Sequence, residues 1–332
     1  MQTAHRKLRP VLDGEWQLIG PPPVGLDERL PGPPVPTDGG EHNACVDHHI
    51  LQSTDGAWHL WACVRRTRVG RVLYHWETAR WLDCPWRDTG EFIRADRAAG
   101  ECVHDWDGQE WLQSPFFVHH DGRYYMFYGG HATGGTGGAS DGIAYADPAL
   151  PMQMCLMTSP DGRAWTRHRD PNGFSRVFVG PGEVRDPCIL RIGELWHCYY
   201  AGFSNGDKHR PGFYCRTSRD LVHWSYYTCI HMDLTLAPGR WATECPHVVE
   251  RDGYFYLFRT EDYYRRKTHV FRSANPLDFG VGDASAHYVC TFPAAAVEIY
   301  QIDGQECISS SHDPRRGTQL ARLRWVDDTA DA

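Results

Sequence analysis

Five times along the chain an apolar run breaks at a tight turn and resumes as an aromatic-rich run. The turns are Asp55-Gly56 in "HHILQSTDGAWHLWACV", Asp121-Gly122 in "SPFFVHHDGRYYMFYGG", Gly193 in "PCILRIGELWHCYYAG", Asp252-Gly253 in "PHVVERDGYFYLFRT" and Asp303-Gly304 in "AVEIYQIDGQECISSS". Asp-Gly and Gly turns accept the positive φ of a tight hairpin, and the flanking β-branched and aromatic residues suit strands. The turn glycines stand 51 to 71 residues apart, which leaves room for two further strands per hairpin. This spacing predicts an all-β chain, a five-bladed β-propeller of four-stranded antiparallel blades. Blades that pack mainly on their neighbours also explain how 332 residues can remain one body.

A second marker follows hairpins two, three and four: "TSPDGRAW" (Thr158 to Trp165), "TSRDLVHW" (Thr217 to Trp224) and "RSANPLDF" (Arg272 to Phe279). Each is expected to lead from a third strand to an outer strand. After hairpin five only "TQLARLRWV" (Thr318 to Val326) reads as strand, so the fifth blade is one strand short. "EWQLIG" (Glu15 to Gly20) is expected to supply that strand and close the ring, removing open sheet edges. The chain then divides into residues 1–40, a closing strand with an irregular Pro-rich connector ("PPPVGLDERLPGPPVP"), and residues 41–332, the propeller.

Charge and motif content exclude several function classes. Lys and Arg total 34 against 42 Asp and Glu, a net charge of −8 with no basic block to attract nucleic acid or an anionic membrane. No window approaches the 18 apolar residues of a membrane span, and the N-terminal segment has no apolar leader core. Twelve cysteines form no C-x-x-C pair and most lie in apolar strand-like runs, which suits reduced, buried thiols and a cytoplasmic location. "GFSNG" (Gly202 to Gly206) matches the G-x-S-x-G nucleophile elbow, but a strand with Pro and Gly before it follows where a helix is required. The histidine pairs of "VDHHI" and "VHHDG" point to opposite faces of their strands, so they do not build a zinc site. The Gly-rich run Gly129 to Gly142 opens no helix and is expected to be a loop rather than a phosphate cradle.

Strand direction gathers the remaining chemistry. If each hairpin is the inner pair of a blade, every inner strand starts on the same side as every loop between strands two and three. The segments 65–70, 129–142, 202–212, 260–268 and 312–317 are therefore expected to rim one opening. Counting back from the turn glycines, Asp47, Asp186 and Glu244 stand at the strand starts of blades one, three and four. Blade two offers Gln113 and Ser114 there, and blade five only the alanines of "PAAAVEIY". Blade geometry alone does not ask for three acids.

"RDP" (Arg185 to Pro187) and "ECP" (Glu244 to Pro246), in this order and 58 residues apart from Asp186 to Glu244, resemble motifs of a known group. These are the five-bladed β-propeller glycoside hydrolases, the invertase and levansucrase type together with the arabinanase, arabinofuranosidase and xylosidase type. Asp47, in "NACVDHHILQ", is placed by its position in the blade rather than by a motif. The resemblance implies a glycosidase, with furanosidase-like action among its members, acting on a small oligosaccharide or glycan chain end. It implies Glu244 as general acid, Asp47 as nucleophile or base, and Asp186 as a third carboxylate that orients the sugar and raises the pKa of the acid. Arg185 is expected to bond sugar hydroxyls or hold Asp186, and Trp111, Gln113, His247 and His312 to contact the sugar ring. No cofactor is expected beyond a calcium ion in the central channel near His312, as in some arabinanase-type relatives. Two alternatives stand beside hydrolysis: transfer of the glycosyl unit to a sugar or phosphate, and a propeller that binds sugar without cleaving it.

Overall fold

All five hairpins form as antiparallel strand pairs. Ala44–Gln52 pairs with Trp58–Thr67, Glu110–His120 with Arg123–Gly130, and Arg185–Ile192 with Leu195–Phe203. Glu244–Arg251 pairs with Tyr254–Asp262, and Glu298–Ile302 with Gln305–Ser310. At Asp121-Gly122, Asp252-Gly253 and Asp303-Gly304 both turn residues have positive φ, the combination whose twist matches a two-residue hairpin. The computed structural model describes residues 5–35, 43–102, 108–130, 152–182, 184–203, 211–236 and 242–328. Of the loops expected to rim one opening, residues 131–142 and 204–210 lie outside the described residues.

The recurring Ser motif has a local cause. Ser159, Ser218 and Ser273 each end a third strand: Gln153–Ser159, Pro211–Ser218 and Lys267–Ser273. The Ser218 hydroxyl accepts the N–H of Asp220 and Leu221, and Asp220 Oδ1 accepts those of Val222 and His223. Ser159 with Asp161, and Ser273 with Asn275, repeat the pattern. Side chains thus satisfy a backbone that leaves the sheet. The outer strands that follow are Arg176–Val179, Thr228–Asp233 and Tyr288–Phe292, while in the first unit Gly70–Thr78 leads to Arg87–Ile93.

The fifth unit takes Thr318–Asp327 as its third strand, and Leu8–Gly20 pairs with it antiparallel from Leu8↔Asp327 to Gly20↔Thr318. This N-terminal strand starts seven residues before the expected Glu15. Its first half is anchored by the Leu8 N–H, which donates to the Tyr256 hydroxyl at 2.9 Å, and by the burial of Leu8. The connector is also more ordered than expected. Leu26–Arg29 forms a helical turn, Leu26 and Leu30 are buried, and Asp27 Oδ1 accepts the Arg68 N–H at 2.6 Å. Residues 36–40 of the connector lie outside the described residues.

The core runs from unit to unit. Trp61 and Leu73 pack with Leu112, Met126 and Tyr128 of the second unit. Phe127 and Leu156 pack with Tyr199 and Phe213 of the third and Leu257 of the fourth. Phe258 and Val270 continue to Ile308 and Leu323 of the fifth. Ile302, Leu320 and Ile19 then pack on Leu60 and Trp76 of the first. No helix among the described residues is long and apolar enough to cross a membrane, and all twelve cysteines are free thiols.

Ile19 is fully buried and its neighbour Leu18 is 38% exposed. Ile19→Ala should therefore cost about 2–5 kcal/mol in urea unfolding, and Leu18→Ala no more than about 0.5 kcal/mol. Equal, small effects at both positions would show that the N-terminal strand contributes little to the folded body.

Candidate active site

Each inner strand is bent at the same place. Asp47, Ser114, Asp186, Cys245 and Ala296 all have positive φ, between 37° and 56°, which is uncommon for residues other than glycine. In the first four units the pairing register shifts across this residue, so the strand carries a bulge that re-aims its side chains. Residues from all five inner strands consequently line one narrow cleft: Asp47 and His48, Ser114, Asp186, Cys245, and Ala296 with Glu298.

The bulge corrects one alignment made from the sequence. Glu244 precedes the bulged residue of its strand, as Arg185 and Gln113 do, whereas Asp47 and Asp186 are bulged residues themselves. Counting from the turn glycines could not separate these positions, because the distance from bulge to turn differs between units. The offset brings Glu244 beside Arg185. Arg185 Nη1 donates to Glu244 Oε1 at 2.9 Å and to Asp186 Oδ2 at 3.2 Å.

The three carboxylates form one network. Asp186 also accepts the Cys245 N–H at 3.0 Å and the Ser114 hydroxyl at 2.6 Å, and Ser114 Oγ lies 3.1 Å from Asp47 Oδ2. One hydroxyl proton cannot serve two ionised carboxylates, so both contacts are satisfied only when one carboxyl is protonated. Asp47 Oδ1 accepts from the Tyr263 hydroxyl at 2.6 Å and from the Cys245 thiol at 3.4 Å. Burial pushes the Glu244 carboxyl up; Arg185 opposes this, Asp186 and Asp47 add to it, and the result is about 7. Burial also raises Asp186 above the usual carboxylate range, against the pull of Arg185.

The expected ring-contacting residues are buried and bonded to protein. Trp111 Nε1 donates to Gln113 Oε1 at 3.1 Å, and Arg71 both bonds Gln113 and covers the Trp111 ring at 3.9 Å. His247 accepts the Ile299 N–H on Nε2 at 3.2 Å, and its Nδ1 lies 2.8 Å from Glu298 Oε2. His312 Nδ1 meets Ser310 Oγ at 2.9 Å, and its ring lies edge-on to Trp16. A hydroxyl and an indole are not the oxygen-rich donor set that calcium takes, so this position does not fit that ion. The sequence reading missed Ser114 as the bridge between two acids, and it missed Tyr263, Cys245 and Glu298. Tyr263 had one signal, its place in the loop expected to rim the opening. Glu298 had another, a lone acid two residues after the alanines of the fifth unit.

No family model matches the sequence, and no curated protein matches it. Solved structures do. The chain superposes on a thermostable family-43 glycoside hydrolase with a TM-score of 0.54 at 14% identity, covering 88% of this chain and 92% of that one. An α-L-arabinofuranosidase from Lactobacillus brevis gives 0.56 at 12% identity, over 86% and 92%. The GH32 β-fructofuranosidase of Bombyx mori gives 0.54 at 15% identity, over 90% of this chain and 62% of that one. The fold is the β-propeller of these hydrolases. At such identities the likeness is one of fold.

The raised Glu244 carboxyl carries a stability signature. A folded-state value near 7 against an ordinary 4.5 means that the folded protein holds the proton more tightly than the unfolded chain. The associated stability is present below about pH 4.5 and is lost as pH rises through 7. In urea unfolding at pH 5 and pH 8, Glu244→Gln should gain on wild type by about 1–3 kcal/mol between the two conditions. A difference that does not change with pH would mean that Glu244 titrates normally.

Proposed function

We propose that this protein is a glycoside hydrolase on a five-bladed propeller, with Glu244 as general acid, Asp47 as nucleophile or base, and Asp186 as the supporting carboxylate. The observation that carries the reading is the opposed setting of two carboxyls in one hydrogen-bonded network, Glu244 joined through Arg185 to Asp186 and Asp186 through Ser114 to Asp47. Glu244 is held near neutrality, while Asp47 receives donors from Tyr263 and Cys245. Glycosidic cleavage needs this pair, one carboxyl to protonate the leaving oxygen and one ionised group to attack the sugar or activate water. The five-blade count and the closing role of Leu8–Gly20 are supported by the core that passes from unit to unit and back to the first.

The residues divide the work as follows. Glu244 donates its proton to the glycosidic oxygen as the C–O bond breaks, and Arg185 Nη1, 2.9 Å away, stabilises the carboxylate left behind. Burial raises the Glu244 carboxyl and Asp186 adds to this whenever it is ionised; Asp186 is itself fixed by Ser114, Cys245 and Arg185. The Tyr263 hydroxyl orients Asp47 toward the anomeric carbon or the attacking water. The substrate is a small oligosaccharide or glycan chain end. Structures of this fold in complex with xylotriose, from Xanthomonas citri, and with sucrose, from Bombyx mori, support that class of ligand.

A panel of aryl furanosides and pyranosides, with the matching oligosaccharides, tests the reading. Glu244→Gln should remove most turnover of oligosaccharides but spare aryl glycosides with good leaving groups, which need no protonation. Asp47→Asn should abolish both, and Asp186→Asn should lower turnover on oligosaccharides and shift the basic limb of the pH profile. Tyr263→Phe should cost about 10–100-fold in kcat, the equivalent of one hydrogen bond to a charged group. Near-full hydrolysis by both Glu244→Gln and Asp47→Asn would remove this pair from the mechanism.

A further inference from the structure

The turn end of the first hairpin unit gathers a second cluster of chemically capable side chains. Register sets His59 opposite Glu77 and Trp61 opposite His75, so all four share one face of the sheet. The His75 ring stacks on Trp61 and on His59, with centroids 4.6 and 5.1 Å apart, and both imidazoles are buried. His59 Nδ1 lies 2.9 Å from His75 Nε2 and 4.0 Å from Glu77 Oε2.

Hydrogen bonds to the outer ring nitrogens fix where the protons are. Ser53 Oγ donates its single proton to Asp55 Oδ1 at 2.5 Å, so its 2.8 Å contact with His59 Nε2 needs an N–H on the ring. Thr89 Oγ1 donates to the His75 carbonyl at 2.9 Å. His75 Nδ1 faces that hydroxyl at 3.0 Å and Glu91 Oε2 at 3.1 Å, so it too carries an N–H. The inner nitrogens, His59 Nδ1 and His75 Nε2, then face each other beside the Glu77 carboxylate, an arrangement that needs a proton or a metal cation between them. Outer N–H groups bonded to hydroxyls or carboxylates are also the usual support of metal-binding histidines.

We propose that His59, His75 and Glu77 bind a divalent cation of the zinc type. Two imidazoles and a carboxylate suit zinc better than calcium or magnesium. Tetrahedral zinc places its ligand atoms about 3.3 Å apart, so the two nitrogens must part by about 0.4 Å and turn their lone pairs to one point, and Glu77 Oε2 must move in from 4.0 Å. Arg163 contacts Glu77 Oε2 at 3.2 Å and Asp55 at 2.8 Å, and Arg87 bonds Glu77 Oε1. With the ion bound, Arg163 keeps Asp55 and yields Glu77 Oε2. Three carboxylates, of Asp55, Glu77 and Glu91, still outnumber the two guanidiniums. His59 pairs with Leu51, four residues along the strand from Asp47 and roughly 13 Å away. The ion therefore acts on stability and not on the carboxylate cleft.

The test uses the whole protein, dialysed against chelator and titrated with ZnCl2 by calorimetry and by thermal unfolding. One equivalent should bind at micromolar concentration or tighter and raise Tm, and CoCl2 should give the visible bands of a four-coordinate site. His75→Asn should abolish the equivalent, and Glu77→Gln should weaken it at least about 10-fold, both without loss of glycoside hydrolysis. Cys245→Ser is the control for the other close donor set, Asp47, Asp186 and Cys245, and should keep the equivalent. Should His75→Asn not fold, the Glu77→Gln titration and the cobalt spectrum still decide. No heat and no Tm shift up to millimolar ZnCl2 would mean that the two nitrogens share a proton instead. Binding that survives Glu77→Gln at full strength, or disappears in Cys245→Ser, would place the metal elsewhere and overturn the proposal.

Discussion

The site depends on a backbone turned left-handed at the head of every inner strand. A regular strand would alternate its side chains between two sheet faces; a bulged residue with positive φ breaks that alternation and aims a short side chain along the strand, into the space that the strands share. Four strands do this at Asp47, Ser114, Asp186 and Cys245, and Ala296, two residues before the fifth, has the same left-handed backbone. A residue other than glycine costs of order 1–3 kcal/mol in such a conformation, and it persists because the hydrogen bonds around it over-determine it. The Asp186 carboxylate accepting the Cys245 N–H ties one bulge to the next, and Ser114 ties two more together.

The bulge also sorts residues into layers. Gln113, Arg185 and Glu244 precede it, and His49, His247 and Glu298 lie two residues beyond it. The first layer carries the guanidinium and the acid that meet at 2.9 Å, and the second sets two imidazoles around one carboxylate, with His247 Nδ1 and His49 Nε2 at 2.8 and 3.7 Å from Glu298 Oε2. Each buried carboxylate finds a partner within its own layer or the next, without which burial would force it to neutralise.

What could be read from the sequence was local. Asp-Gly turns, the Ser-x-Asp or Ser-x-Asn turns after the third strands of the second, third and fourth units and the apolar runs between them are decided by a few neighbouring residues, and the strands fall where those signals put them. The convergence of Asp47, Asp186 and Glu244 followed from strand direction alone. The bulge did not, because whether Glu244 or Cys245 takes the left-handed conformation depends on backbone geometry that residue type does not announce. Tyr263 reaches Asp47 across 216 positions of sequence, and no local pattern predicts such a bond. The extra length of the N-terminal strand was hidden for a similar reason. Its first residues, "LRPVLDG", look polar until Tyr256 and the Thr318–Asp327 strand supply their partners.

Burial raises both Asp186 and Glu244, yet the two are not interchangeable as proton donors. Asp186 has a side chain only 3% exposed and is held by Ser114, Arg185 and the Cys245 amide. A carboxyl so enclosed and so bonded is fixed in place. Glu244 is 18% exposed on its side chain, and among the described residues its carboxyl takes one hydrogen bond, from Arg185. That single donor is enough to receive the charge when the proton leaves, and it is too few to hold the group ionised beforehand. The same guanidinium contacts both acids, so any charge gained by one is felt by the other. The general acid proposed for this site must lose and regain a proton in each cycle, and Glu244 stands where that role is best served, at the edge of the network rather than at its centre.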